Sequence, residues 1–214
     1  MKNGILIIMS TAPVRVIIIT GPSGSGKSSL ARRCGLRSVR LDDFYHTFDT
    51  PNMPMVDEHL IDWDDVRSWN KEAAIEALIE LCTTGQTDTP DYDIPTSSVI
   101  GSRHLELDPS ETVIVAEGIF AAHCVPALKE RGLLADAICI ARNPWRNAYF
   151  RFIRDIKKNR KSVPVLIRRG LYLTKREPGQ IREWTALGCR PVPSLEAAVE
   201  AVKMAATAAA AQAD

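Results

Sequence analysis

Val16-Ile17-Ile18-Ile19-Thr20-Gly21-Pro22-Ser23-Gly24-Ser25-Gly26-Lys27-Ser28-Ser29 is the stretch that decides the fold of this chain. Five residues of apolar, β-branched character read as a buried strand, and they run directly into G-x-x-x-x-G-K-[ST] with no mismatch. Ser28 to Arg33 then opens a helix. That strand–loop–helix context separates a phosphate cradle from a glycine-rich turn with a surface lysine. The backbone amides of Gly21, Ser23, Gly24, Ser25 and Gly26 would surround phosphate oxygens, and the helix N-terminus would add partial positive charge. Lys27 would reach the β- and γ-phosphates, the Ser28 hydroxyl would ligate Mg²⁺, and Ser29 would follow in the first helical turn. The stretch therefore predicts a bound nucleoside triphosphate with Mg²⁺; ATP and Mg²⁺ are the expected cofactors, with the preference for ATP over GTP left open by the loop.

Working outward, strands and helices alternate. Ser38–Leu41 reads as a second strand, 112–116 as a third and 137–141 as a fourth. Helices are expected over 66–82, 121–133 and 144–159, with Gly85 as a stop. Residues 46–62 read as a long loop, and a Thr/Asp/Pro-rich loop leads to Tyr92. A second basic stretch covers 163–175, with Pro178 as punctuation and a short last strand between Gly188 and Pro193. This pattern predicts an α/β, P-loop NTPase fold: a mainly parallel, doubly wound sheet with helices on both faces and a basic helical lid. One kinase domain is expected over 1–193, with the lid roughly at 144–170. An Ala-rich helix over 194–214 would propagate well and pack weakly.

Composition narrows the function. The 214 residues carry 27 Lys/Arg against 26 Asp/Glu, which argues against a general nucleic-acid binder. The charges are unevenly spread: 41–66 holds eight acids and no Lys or Arg, while 142–182 holds thirteen Lys/Arg and two acids. Five cysteines, odd in number and without a CxxC pair, fit a reducing cytosol, so a cytoplasmic location is expected. The apolar segment 5–9 is too short for a membrane span, and Met9 offers an alternative start.

Three constellations extend the chemistry. Asp42-Asp43-Phe44-Tyr45 follows the second strand, where strand ends converge on a ligand crevice. A carboxylate there would take a proton from an attacking hydroxyl, hold a Mg²⁺-bound water, or simply cap a turn. Glu117-Gly118 ends the third strand, where a second acid would orient a metal-bound water. GTPase signatures are missing: there is no NKxD, and Glu117 stands in place of D-x-x-G. Arg151 and Arg154 share a helical face, extended by Lys158, and would meet charge developing on a transferred phosphoryl group. A solvated basic helix is the plain alternative.

Taken together, these motifs resemble the uridine kinase family, within the broader uridine kinase and phosphoribulokinase group, over roughly residues 14–170. Asp42-Asp43-Phe44-Tyr45 is similar to the family's D-x-F-Y segment, which implies Asp42 as the catalytic base. Ile61–Trp69 is similar to the F-D-H-P segment and implies that Asp64 holds ribose hydroxyls, although Asp65-Val66 replaces H-P. Pro90-Asp91-Tyr92-Asp93 is similar to P-x-Y-D, whose Tyr lines the nucleoside pocket. Glu117-Gly118 and Arg154-Asp155 match the family's E-G and R-D pairs, with Arg151 three residues upstream.

The resemblance implies Asp42, Lys27 and Arg154 in catalysis. It implies Tyr45, Asp64, Tyr92 and Arg151 toward the acceptor, Arg160 closing over the phosphates, and Ser28, Glu117 and Asp42 around the metal. The family's His and Arg five and seven residues after the Tyr are here Ser97 and Val99, with Arg103 and His104 farther on. R-G-R becomes Asn159-Arg160-Lys161.

The expected activity is that of a kinase for the 5′-hydroxyl of a pyrimidine nucleoside, uridine or cytidine. The alternatives are a kinase for another hydroxylated metabolite, such as pantothenate or a sugar, and a nucleotide-dependent regulatory ATPase or switch. The expected partner is a small nucleoside-like acceptor, not nucleic acid or membrane; a homo-oligomer is compatible with the sequence. Adenine contacts are sought at the Gly188–Pro193 turn.

Overall fold

The apolar run that precedes the phosphate loop is the central strand of the sheet, β1 (Arg15–Thr20), and Val16 to Ile19 are wholly buried. In the computed structural model, which describes residues 13–157 and 163–211, β1 is followed by α1 (Lys27–Cys34) and β2 (Ser38–Arg40). Next come a hairpin of β3 (Met55–Asp57) and β4 (Leu60–Ile61), α2 (Lys71–Thr84), and a longer hairpin of β5 (Gln86–Asp93) and β6 (Ser98–Glu106). β7 (Val113–Glu117), α3 (Val125–Glu130), β8 (Leu134–Ile140), α4 (Pro144–Lys157), α5 (Val163–Ala186), β9 (Arg190–Val192) and α6 (Leu195–Ala210) complete the chain.

Five strands form one parallel sheet in the order β2-β7-β1-β8-β9. Side chains alternate across a strand, so β1 feeds two cores at once. Val16 and Ile18 pack with Val39, Ile114, Leu78, Leu81 and Trp184 on one face. Ile17 and Ile19 pack with Leu30 and Ala31 of α1, Val115, Ile138 and Val202 of α6 on the other. Burial on both faces is what makes the run uniformly apolar. The register places Arg40, Glu117 and Ile19 in one row, so the segments leaving β2, β7 and β1 emerge side by side.

Several expectations change. The Thr/Asp/Pro-rich loop before Tyr92 is instead strand β5, paired antiparallel with β6 outside the main sheet. Thr87 and Thr89 are its buried positions, so no hydrophobic period marks it in the sequence. Part of 46–62 is also a hairpin. The helix expected from Val66 begins at Lys71, capped by Asn70 Oδ1, which accepts from Ala73 N at 3.1 Å. Pro178 does not end the second basic stretch: α5 runs through it to Ala186. The Ala-rich stretch is well packed, with Ala198 and Val202 wholly buried and Ser194 Oγ capping its first turn. The alternative start at Met9 and the lid residues Lys158, Asn159, Arg160 and Lys161 lie outside the described residues.

Candidate active site

The phosphate loop owes its path to glycines at two positions. Gly24 and Gly26 have φ of 87° and 99°, which L side chains avoid. A Cβ on Gly24 would also stand 2.6 Å from the Asn147 carbonyl oxygen, because α4 rests on the loop. Gly26 leads into α1 with no side-chain cap and no acid in the first turn, which leaves the helix N-terminal amides to an anion. Lys27 is buried and its Nζ donates to the carbonyls of Gly21 (2.7 Å) and Pro22 (3.4 Å), folded along the loop. Ser25 Oγ is buried without a partner among the described residues.

Glu117, at the end of β7, is 3% exposed. Its Oε1 accepts from Ser28 Oγ at 2.7 Å, while Oε2 has no partner among the described residues. Burial pushes its carboxyl above the usual range and neighbouring Asp42 adds to this; the Lys27 ammonium opposes the shift. A hydroxyl and a half-satisfied carboxylate are hard oxygen donors, a set that suits Mg²⁺.

Asp42 lies in a 3-10 turn (Leu41–Phe44) directly after β2. Its Oδ1 accepts from Ile119 N at 2.8 Å, and a Cβ on Gly118 would come within 2.9 Å of that oxygen. Gly118 is therefore what lets the β7 end and the Asp42 turn meet. Adjacent Asp43 has a different task. It is buried and ion-paired with Arg40 (3.1 Å) and Arg103 of β6. Burial raises its carboxyl and the two arginines oppose that. Arg103 thus clamps the β5–β6 hairpin to the turn that carries Asp42.

The hairpin brings Tyr92 to Tyr45, with ring centroids 5.8 Å apart, and Tyr45 also meets Trp63 and Phe120. Tyr45 donates to the Trp63 carbonyl (3.2 Å) and Tyr92 to that of His46 (3.4 Å). Burial, with the charges of Asp42 and Asp64, pushes the Tyr45 phenol well above its usual value, so it stays a neutral donor. Asp64 is ion-paired at 3.4 Å with Arg169 of α5. An aromatic and acidic cluster therefore adjoins Asp42.

Arg154 Nη2 donates to Ser23 Oγ (3.2 Å) and its Nε to Asp155 (2.9 Å). The hydrogen bonds of Arg151 run to the Ser23 carbonyl, Glu177, Gly170 and Thr174, not to the aromatic cluster. Ser29 follows Ser28 in α1. Sequence reasoning assigns no role to Arg103, Arg142, Arg169 or Glu177. Arg103 lies 60 residues from Asp43, and Arg169 lies 105 from Asp64, so no local signal joins them.

Comparison with known proteins places this geometry. The signature of the phosphoribulokinase / uridine kinase family matches residues 16–158. The chain is 31% identical over 118 residues to a uridine kinase of Bacillus thuringiensis (strain Al Hakam), covering 52% of this chain and 54% of that protein. It is 30% identical over 142 residues to inorganic pyrophosphatase TTM2 of Arabidopsis thaliana, covering 65% of this chain and 20% of that protein. It thus spans about half the length of the matched uridine kinase and a fifth of the pyrophosphatase. A putative fructose transport system kinase from Silicibacter sp. TM1040 shares the fold, with a TM-score of 0.54 at 14% identity over 85% of this chain and 88% of that one.

Proposed function

The chain belongs to the phosphoribulokinase / uridine kinase family, and from that premise we propose that it transfers the γ-phosphoryl group of ATP to a primary hydroxyl of a small polyhydroxylated acceptor. The 5′-hydroxyl of a pyrimidine nucleoside is the first candidate. The observation that carries this reading is the position of Asp42, close to Glu117 of the Ser28–Glu117 pair on one side and to Tyr45 of the Tyr45–Tyr92 cluster on the other.

In this reading the loop amides and Lys27 hold the triphosphate, and Lys27 exchanges the Gly21 and Pro22 carbonyls for phosphate oxygens. Ser28 Oγ and the Glu117 carboxylate would hold a Mg²⁺ ion, which supplies neutralisation of charge on the phosphate oxygens. Asp42 accepts the proton of the acceptor hydroxyl. The acceptor oxygen bonds to the γ-phosphorus as its bond to the β,γ-bridging oxygen breaks, and ADP departs with that electron pair. Tyr45, Tyr92 and Asp64 orient the acceptor, carboxylate oxygens receiving its hydroxyl protons. Arg154 faces the transferred group from α4.

A second reading, a sugar or another hydroxylated metabolite as acceptor, is favoured by Ser97 and Val99 at the hairpin positions where a base would be read. Asp42→Asn tests the shared mechanism. ATP affinity should stay within about twofold and turnover should fall about 10²- to 10⁴-fold, the usual worth of a general base. Near-normal turnover would remove Asp42 from the role.

A further inference from the structure

Glu177 looks in sequence like a surface acid of a basic helix, between Arg176 and Pro178. In the fold it is 1% exposed, and both of its oxygens are engaged. Oε2 accepts from Asn147 Nδ2 at 2.9 Å and Oε1 from Arg151 Nη1 at 3.3 Å. Each partner hands the interaction on to the phosphate loop. Asn147 Oδ1 accepts from Arg142 Nε (2.6 Å), and Arg142 Nη2 donates to the Gly24 carbonyl (2.5 Å). Arg151 Nη1 donates to the Ser23 carbonyl (3.1 Å). One buried carboxylate on α5 therefore anchors two successive loop carbonyls by two separate routes.

A planar trans peptide sets its N–H opposite its C=O. Tying the carbonyls of Ser23 and Gly24 to the α4 side turns the amides of Gly24 and Ser25 toward the inside of the loop. The Ser25 amide there meets the Pro22 carbonyl at 3.0 Å. Without the arginines, the Gly24 amide would be free to rotate and the Ser25 amide would be held by the Pro22 carbonyl alone, and a triphosphate would have to order them on binding. Burial of Glu177 raises its carboxyl, and Asn147 and Arg151 oppose this.

We propose that Glu177 is a positioning residue of the triphosphate site, presetting the peptides that carry the Gly24 and Ser25 amides through Arg151 and Arg142. The proposal rests on reading Gly21–Ser28 as a triphosphate cradle. It also gives Arg142 a role at the loop and assigns Arg151 to the loop rather than to the acceptor.

The test is Glu177→Gln, which keeps the shape and leaves one acceptor in place of two. ATP affinity, followed by calorimetry, should fall about tenfold, the worth of one charge-assisted hydrogen bond. The Gly24 and Ser25 amide resonances of the nucleotide-free protein should shift, while those of α6 stay in place. Arg142→Lys cuts one route only and should cost less, with the double variant no weaker than Glu177→Gln alone. That variant serves if Glu177→Gln folds poorly. A loss of thermal stability with ATP affinity and the two amides unchanged would reduce Glu177 to a packing role and overturn the proposal. Failure of the unaltered protein to bind ATP would instead overturn the reading of the cradle itself.

Discussion

The two sides of the crevice are built in opposite ways. On the nucleotide side, Lys27, Asn147, Arg151 and Glu177 are all buried, and hydrogen bonds to the carbonyls of Gly21, Ser23 and Gly24 tie the loop down. On the acceptor side, two hairpins stand apart from the main sheet, and Val56 and Ile100 at their outer faces are 61% and 66% exposed. They are attached by the Arg103 clamp on Asp43, the aromatic contacts of Tyr45, a Thr87–Glu80 hydrogen bond to α2 and a half-exposed Arg169–Asp64 pair. The ligand common to ATP-dependent kinases meets a fixed surface. In the proposed mechanism the acceptor meets elements outside the main sheet.

Gly24→Ala should damage the nucleotide side most. It sets a Cβ 2.6 Å from the Asn147 carbonyl in a backbone conformation with φ of 87°. Strain and the lost loop–α4 contact together should cost about 3 kcal/mol and ATP affinity about 100-fold or more. Denaturant unfolding and calorimetry would show both. An Ala variant that binds ATP normally would mean that the loop is less fixed than these contacts imply.

The matching cut on the acceptor side is Arg103→Ala, which leaves buried Asp43 with Arg40 alone. A loss of about 2 kcal/mol is expected in denaturant unfolding. The kinetic signature matters more: the KM for the acceptor should rise while ATP affinity is unchanged. Equal effects on both substrates would show that the two sides are not separable.

The smallest effect is a gain. Burial raises the Glu117 carboxyl, so the folded protein holds that proton more tightly than the unfolded chain. Its contribution to stability is therefore full below the ordinary carboxylate range and is lost as pH rises through the folded value. Glu117→Gln removes the penalty. Without metal, the variant should be more stable than the parent by about 1 kcal/mol near pH 8, with the gap closing toward pH 4. Its Mg²⁺-dependent turnover should nonetheless collapse. Thermal melts across pH would check the sign, and a variant less stable at every pH would contradict it.

How much the sequence disclosed follows the same division. Gly21–Ser28 is legible because the cradle is contiguous: its glycines, lysine and serine stand at fixed spacing beside a doubly buried strand. Asp42 and Glu117 are legible because each ends a strand of a parallel sheet, and strand ends converge. The β5–β6 hairpin escapes notice because Gln86–Asp93 is polar on alternate and intervening residues alike, and Pro90 argues against a strand. Pro178 reads as a helix end, yet α5 continues because Glu177 and Trp184 on either side of it are buried. Glu177 and Arg103 are unreadable for a simpler reason. Their partners lie in other elements, and a charged residue in a charged stretch carries no mark of what it will meet.

In the proposed mechanism both sides meet at Asp42, which stands between the phosphate loop and the Tyr45–Tyr92 cluster. The decisive experiment is ADP release from Mg²⁺·ATP in the presence of single nucleosides and sugars, against an acceptor-free control, for the parent protein and Asp42→Asn. One class of polyhydroxylated acceptor should raise the parent's rate at least about tenfold, and the Asn variant should show no such rise. ADP release that ignores every acceptor and survives the loss of the Asp42 carboxylate would show that no phosphoryl transfer passes through this residue.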